Sequence, residues 1–143
     1  MQFDPDNAVV RLCAQGMDME SNQKPDDAKA LFLQAWDAAS NDLEKFIAAH
    51  YIARLQQATI DKLIWDEIAL SFALRIKNHE VFANFPSLYL NIAKCHEDLG
   101  NYKSAGKNYQ TALSYTTELP LDGYGKMIRT GIIKGLERIE EFC

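Results

Sequence analysis

Apolar residues recur every three or four positions along most of the chain, which is the spacing of one face of an α-helix. Two consecutive segments show this most clearly: they carry Leu43, Phe46, Ile47, Tyr51 and Leu55 in the first, and Leu63, Ile64, Ile68, Phe72 and Ile76 in the second. No run of alternating apolar and polar residues bounded by hairpin turn signals occurs in the sequence. The pattern therefore predicts an all-α protein.

Prolines and short polar stretches divide this pattern into seven predicted helices. The four prolines fall where the apolar periodicity is interrupted, as expected of residues that begin or separate helices: Pro5, Pro25, Pro86 and Pro120. The predicted helices lie at about residues 8–20, 25–39, 42–57, 60–77, 86–99, 102–118 and 122–142. The first six pair into three hairpins, and the seventh follows the last hairpin.

Composition narrows the class of protein. A chain of 143 residues that is 48% hydrophobic can bury a substantial core, and we expect a single domain over residues 1–143. The net charge of -5 argues against a nucleic-acid partner, and the lack of a long apolar segment argues against a membrane. Three widely spaced cysteines, Cys13, Cys95 and Cys143, together with an N-terminal stretch that has no leader pattern, favour a reduced, cytoplasmic protein.

Small and aromatic residues recur at matched positions in the first and third hairpins. The third hairpin carries Ala93, Gly100, Tyr102, Ala105, Tyr109 and Ala112, and the first carries Gly16, Ala28, Phe32 and Ala35. In both hairpins the small residue of the first helix precedes that of the second helix by twelve positions. This spacing resembles that of a tetratricopeptide repeat (TPR), in which small residues let two helices approach and aromatic residues wedge between them.

The resemblance implies an all-α, right-handed superhelix of about three antiparallel helix-turn-helix repeats. These TPR-like repeats would lie at about residues 8–41, 42–78 and 86–119, and a capping helix at about residues 122–142 would shield the last one from water. The middle repeat departs from the pattern, because Ala69 follows Ala53 by sixteen positions. That spacing predicts about one extra helical turn in the middle hairpin.

Proteins of this family are typically interaction scaffolds, whose first helices line a concave groove that holds a peptide or a partner helix. Carried over residue by residue, the groove positions are Val10, Cys13, Met17, His50, Arg54, Gln57, Leu90, Asn91, Lys94 and Glu97. The positions that clamp a terminal carboxylate in chaperone-binding members hold Cys13, Met17, Tyr51, Ser87 and Asn91, so we expect no binding of chaperone tails. Packing on a neighbouring helix is an equal alternative for the apolar groove residues.

Two other classes of function stay open at this point. The protein could self-associate as a homo-oligomer through exposed hairpin faces, for which Trp36 and Trp65 on predicted second helices are candidates. It could also be an enzyme that pairs Cys13 with His50, although no motif for an oxyanion hole accompanies them. The adjacent Cys95 and His96 diverge on a helix, and neither a phosphate loop nor a dinucleotide motif occurs. We therefore expect no catalytic residue, no metal and no cofactor.

Overall fold

A computed structural model describes residues 4–142, apart from the side chains of His79 and Glu80. Its helices are α1 (Ala8–Ser21), α2 (Pro25–Ala38), α3 (Asp42–Arg54), α4 (Thr59–Ala73), α5 (His79–Phe82), α6 (Phe85–Asp98), α7 (Tyr102–Ser114) and α8 (Gly123–Ile139). Single 3₁₀ turns follow α7 and α8. No strand occurs within residues 4–142, so the all-α prediction is confirmed for them. The short α5 lies in a segment predicted to be a break.

The chain divides into two compact units, with the boundary between Ile76 and Lys77. In the first, the N unit, α1 packs against α2 and α3 packs against α4, while α3 also contacts both α1 and α2. In the second, the C unit, α6 packs against α7, and α8 contacts both of them. Within the C unit α8 therefore has the place that α3 has in the N unit. The superhelix implied by the family resemblance remains a prediction.

The middle hairpin is not extended by a helical turn. It occupies residues 42–73, whereas the first hairpin occupies residues 8–38, so the two differ in length by one residue. The difference lies mainly in the connection between α3 and α4, which spans residues 55–58 instead of the three residues that join α1 to α2. The predicted extra turn was wrong, because α3 and α4 together have 28 residues, the same number as α1 and α2.

The predicted apolar faces of α4 and α8 are shifted relative to the observed ones. Ile64 of α4 is exposed, whereas Asp66, Ala69 and Ala73 of the same helix are buried. On α8, Tyr124 and Met127 are exposed, and the buried face begins at Gly125 and continues at Ile128. Small side chains at the contact allow close helix approach, and larger ones in the same stretch then point outward.

Two aromatic rings on the second helices pack against glycines. The ring of Phe32 on α2 lies so close to Gly16 on α1 that an added Cβ there would sit 2.3 Å from it. The ring of Tyr109 on α7 lies equally close to Gly135 on α8, where an added Cβ would also sit 2.3 Å away. Both aromatic side chains are fully buried. Any residue larger than glycine at these two positions would push the helices apart.

The first and third hairpins share the same helix ending. Gly100 and Gln23 both have a left-handed backbone, with φ angles of 80° and 60°. In each case the N–H of this residue and the N–H of the next donate to carbonyls of the last helical turn, at 3.0 and 2.8 Å for Gly100 and Asn101 and at 3.0 and 2.9 Å for Gln23 and Lys24. This is the Schellman motif, which normally places glycine at the left-handed position. The first hairpin uses glutamine there at some cost in backbone strain.

We predict that Gln23→Gly stabilises the N unit by about 0.5–1 kcal/mol, because glycine adopts the left-handed conformation without a steric penalty. Urea denaturation followed by tryptophan fluorescence measures this directly, since both tryptophans, Trp36 and Trp65, lie in the N unit. The matched variant Gly100→Ala places a Cβ at the equivalent position of the C unit and should destabilise that unit. A Gln23→Gly protein that is less stable than the wild type would contradict the prediction.

Candidate functional site

The first helices of the N unit, α1 and α3, are tied together at their N-termini. The Asn7 side-chain oxygen accepts hydrogen bonds from the N–H groups of Val9 and Val10, at 2.8 and 3.1 Å, and so caps α1. The Asn7 amide donates to Glu44 in the first turn of α3, at 2.9 Å. This bond and those from Ser40 lower the pKa of Glu44. The two helices therefore present their side chains to a common surface.

We call this surface the α1–α3 site and define it by Cys13, Met17 and Glu20 on α1 and His50, Tyr51 and Arg54 on α3. Aromatic rings form its base. Tyr51 stacks on Phe32 with ring centroids 5.3 Å apart, and the His50 ring meets Tyr51 edge-on at 5.4 Å. Desolvation raises the pKa of Tyr51, and the negative charge that Cys13 carries when it ionises acts in the same direction.

An ion pair crosses the site between α1 and α3. Arg54 lies over the ring of Tyr51, 5.6 Å from its centroid, and its Nη2 donates to Glu20 Oε2 at 3.4 Å. The other carboxylate oxygen, Glu20 Oε1, is buried and accepts no hydrogen bond from the described residues. The His50 Nδ1 atom is likewise buried without a partner among those residues. Buried polar atoms normally have hydrogen-bond partners.

Burial sets the protonation states of the two groups that could act in catalysis. Desolvation lowers the pKa of His50 to about 4, and the positive charge of Arg54 lowers it further in the same direction. Desolvation raises the pKa of Cys13 to about 12. A nucleophilic cysteine needs the opposite shift, toward the thiolate. At neutral pH the site therefore contains a neutral imidazole and a neutral thiol.

The C unit contains a counterpart of this ion pair between α6 and α8. Arg138 donates to Glu97 through two bonds, Nε to Oε2 at 2.8 Å and Nη2 to Oε1 at 3.1 Å. The Tyr109 hydroxyl donates to Glu97 Oε1 at 2.7 Å and accepts from Arg138 Nη2 at 3.3 Å. The hydrogen bond from Arg138 is the main cause of the lowered pKa of Glu97, whereas burial and the bond to Glu97 raise the pKa of Tyr109.

The two ion pairs occupy matched sequence positions. Glu20 follows Gly16 by four residues, and Glu97 follows Ala93 by four residues. Arg54 follows Tyr51 by three residues, just as Arg138 follows Gly135, the residue that faces the aromatic ring in the C unit. The partners are separated by 34 residues in the N unit and by 41 in the C unit. The same acid–base contact therefore joins successive first helices in both units.

The predicted groove residues divide into several groups. Met17 and Arg54 are exposed at the α1–α3 site, His50 and Val10 are half-buried, and Cys13 is a core residue. Gln57 is exposed but lies in the connection after α3, where it lines a shallow cavity of about 310 Å³ beside the start of α2. The structure thus brings together Cys13, Met17, His50 and Arg54 of the six residues predicted in this unit.

Most of the four predicted groove residues of the C unit contact other side chains of that unit. Leu90 packs against Gly131 of α8, and Glu97 is held by Arg138. Lys94 is exposed and pairs with Asp98 of its own helix at 2.5 Å, and Asn91 is half-buried. A groove that continues from one unit to the other remains a prediction of the family resemblance. Glu20 was missed as a site residue, and its signal was the 34-residue spacing to Arg54.

The tryptophans pack against each other on α2 and α4. Trp36 and Trp65 meet edge-to-face with ring centroids 5.1 Å apart, and Phe72 lies 6.0 Å from Trp36. Lys45 covers the Trp36 ring at 4.1 Å and donates to the Trp36 carbonyl at 2.9 Å. Both tryptophans are half-buried in this cluster. They therefore give no separate indication of a contact surface.

Comparison of the chain with protein-family models, with curated proteins and with solved structures found no match. Within residues 4–142, no group of three or more His, Cys, Asp or Glu side chains is arranged to hold a metal ion. None of the helices described in this range has both the length and the apolar character needed to cross a bilayer. The α1–α3 site thus has to be interpreted from its own geometry.

We predict that acidification destabilises the N unit between pH 6.5 and about 4. The folded pKa of His50 is about 4 and its ordinary value is 6.5, so the unfolded chain binds more protons in this window. The contribution of His50 is complete above pH 6.5 and is lost as the pH falls, by up to about 3 kcal/mol at pH 4. Urea titrations followed by tryptophan fluorescence at each pH give the profile.

The control for this measurement is His50→Gln, which keeps a polar side chain but cannot titrate. The difference between the two pH profiles isolates the histidine from the carboxylates, which titrate at the lower end of the same range. We expect the variant to have a flatter profile between pH 6.5 and 4. Identical profiles would show that His50 is not held neutral by burial.

Proposed function

We propose that this protein is a non-enzymatic interaction adaptor or scaffold that binds a peptide or a partner helix at the α1–α3 site. One observation carries the proposal: Met17 on α1 and Arg54 on α3 are exposed, and Arg54 lies over the ring of Tyr51, which stacks on Phe32 and meets His50 edge-on. Aromatic, methionine and arginine side chains are the types enriched where proteins bind one another. The resemblance to the TPR family favours the same surface.

Protonation at the site supports binding over catalysis. A thiol with a pKa near 12 is a poor nucleophile, and an imidazole with a pKa near 4 is a weak base at neutral pH. In the C unit, the accessible part of the proposed groove is reduced to Asn91 and Lys94, because Leu90 and Glu97 contact α8. We propose a reducing, cytoplasmic setting, in keeping with buried free thiols at Cys13 and Cys95.

We predict that Met17→Asp reduces partner binding at least about tenfold, because it places a charge in the apolar part of the proposed interface. The measurement is affinity capture of partners from cell extract, quantified by mass spectrometry. The matched control is Leu33→Asp on α2, since Leu33 is 40% exposed and Met17 is 41% exposed. Circular dichroism verifies that both variants are folded. Equal capture by the two variants would contradict a role for the α1–α3 site.

Self-association is a second candidate function, and a specific feature of α4 favours it. Ile60, Ile64 and Leu74 are each about half exposed and lie on one side of α4 and its C-cap. Glu67 and Ser71 lie between Ile64 and Leu74 on the same side, so the surface combines exposed apolar and polar side chains, as protein interfaces commonly do. A homo-oligomer formed through α4 would leave the α1–α3 site free, so the two functions are compatible.

We predict that the wild type forms a dimer and that Ile64→Glu is monomeric, because the charge would be buried in the contact. Size-exclusion chromatography with light scattering over a range of concentrations measures the mass. Leu33→Glu is the control, as it adds the same charge to an exposed apolar position of another helix. A wild type that is monomeric at high concentration would exclude self-association through α4.

A further inference from the structure

A place that a helix fills in the N unit is an open groove in the C unit. In the N unit α4 packs along α3 and reaches α2, where Trp65 and Phe72 meet Trp36 at ring-centroid distances of 5.1 and 6.0 Å. Helices α7 and α8 are the counterparts of α2 and α3 in the C unit. Between them lies a groove of about 490 Å³, which we call the α7–α8 groove. It is lined by Gly106 and Gln110 of α7, by Ile133, Leu136 and Glu137 of α8, and by Glu140 directly after α8.

The lining of the α7–α8 groove corresponds to residues of α3 that are buried in the N unit. The alignment that matches the arginines of the two ion pairs also matches Ile133 with Ala49 and Glu137 with Ala53. Ala49 and Ala53 are buried in the N unit, where α4 packs on α3. Their counterparts are accessible, since Ile133 is 44% exposed and Glu137 is also exposed. The exposed side of α8 is therefore the counterpart of a covered side of α3.

The α7–α8 groove combines an apolar floor with two accessible carboxylates. Leu136 packs against the buried core of the C unit, and Ile133 lies beside it in the groove. Glu137 and Glu140 are both exposed, and Arg138, which lies next to Glu137 in the sequence, is paired with Glu97. The counterparts of these two glutamates in the N unit are the neutral residues Ala53 and Gln56. A helix in the groove thus meets two negative charges that α4 does not meet on α3.

We propose that the α7–α8 groove binds a basic amphipathic helix of a partner protein, which lies along α8 as α4 lies along α3. Apolar side chains of that helix contact Ile133 and Leu136, and two lysines or arginines reach Glu137 and Glu140. Helices that bind in grooves present their anchoring side chains at three- and four-residue spacing, which matches the spacing of this lining. The groove shares no residue with the α1–α3 site, so it is a second contact surface beyond the proposed adaptor site.

Charge disfavours a second copy of this chain as the occupant. The exposed apolar strip on α4 is the surface of the chain that most resembles a docking helix, but it also carries the exposed acidic residues Asp61 and Glu67. These charges would lie beside Glu137 and Glu140 in the groove, and like charges at close range repel. The whole chain also has a net charge of -5. A basic helix of another protein turns this repulsion into attraction.

The inference is tested by titrating the ¹⁵N-labelled full chain with capped, alanine-based helical peptides of 15 residues, the length of α4. The basic peptide carries leucines and two lysines on one face, the acidic peptide has glutamates in place of the lysines, and a third peptide has the basic composition in scrambled order. We expect the basic peptide to shift the amide signals of Gly106, Gln110 and Glu137. It should bind at least about fivefold more tightly than the other two, because two ion pairs replace two repulsive contacts or an unmatched face.

Two matched pairs of variants locate the binding in the α7–α8 groove. Ile133→Ser removes an apolar contact and should weaken binding of the basic peptide about fivefold, whereas Met127→Ser alters an exposed residue of α8 outside the lining and should not. Glu137→Lys should abolish the preference for the basic over the acidic peptide. Glu118→Lys makes the same charge change at another exposed carboxylate of the C unit and should leave the preference intact. All four positions are on the surface, so the core is unchanged.

Four results would overturn the inference. The first three are an absence of signal changes in the groove with the basic peptide, equal binding of the basic and acidic peptides, and a preference for the basic peptide that persists in Glu137→Lys. The fourth is a shift of the Ile133 and Glu137 signals with protein concentration in the absence of peptide, which would identify a second copy as the occupant. The adaptor function at the α1–α3 site is measured separately, by capture with Met17→Asp and Leu33→Asp.

Discussion

The close packing of an aromatic ring against a glycine determines the arrangement of helices in each unit. Phe32 lies against Gly16, and Tyr109 lies against Gly135, both at distances that leave no room for a Cβ atom. The ring fills the space between a second helix and its neighbours, so it also sets how near the next first helix can come. In the N unit Phe32 stacks on Tyr51 of α3 as well. The ion pairs between first helices depend on this spacing, because they join residues one turn away from these contacts.

The same framework is hydrogen-bonded differently in the two units. In the C unit the side chains of Glu97, Arg138 and Tyr109 hydrogen-bond to one another. These bonds hold α8 against α6. Such a hydrogen-bonded ion pair stabilises the packing of a terminal helix that shields an apolar face from water. In the N unit this hydrogen-bonded group lacks the hydroxyl, because Phe32 supplies the ring but no donor.

Sequence reasoning succeeded where packing leaves a strong local pattern. Ala28, Phe32 and Ala35, and their counterparts around Tyr109, were predicted as contact residues and are all buried. The sequence-based prediction failed where a residue occupies a position that normally holds another residue type. Gln23 adopts the left-handed backbone of Gly100, yet its sequence gives no sign of this. Asp66 is buried in α4, although a charged residue within an amphipathic helix is normally assigned to the solvent side.

The residues of the candidate site likewise divide into those that the sequence predicts and those that it does not. Met17, His50 and Arg54 could be proposed from the spacing of the repeats, because helical periodicity places them on one face of their helices. The only sequence signal for Glu20 is its 34-residue spacing to Arg54. The state of its Oε1 atom could not be proposed, because hydrogen-bond satisfaction depends on which side chains meet across helices. The sequence by itself determined the helices, their pairing into hairpins and the small and aromatic contact residues, since these follow from local periodicity. Only the tertiary structure decided that Glu97 Oε1 accepts from the Tyr109 hydroxyl whereas Glu20 Oε1 accepts from none of the described residues, because that difference arises from one hydroxyl group placed by a neighbouring helix.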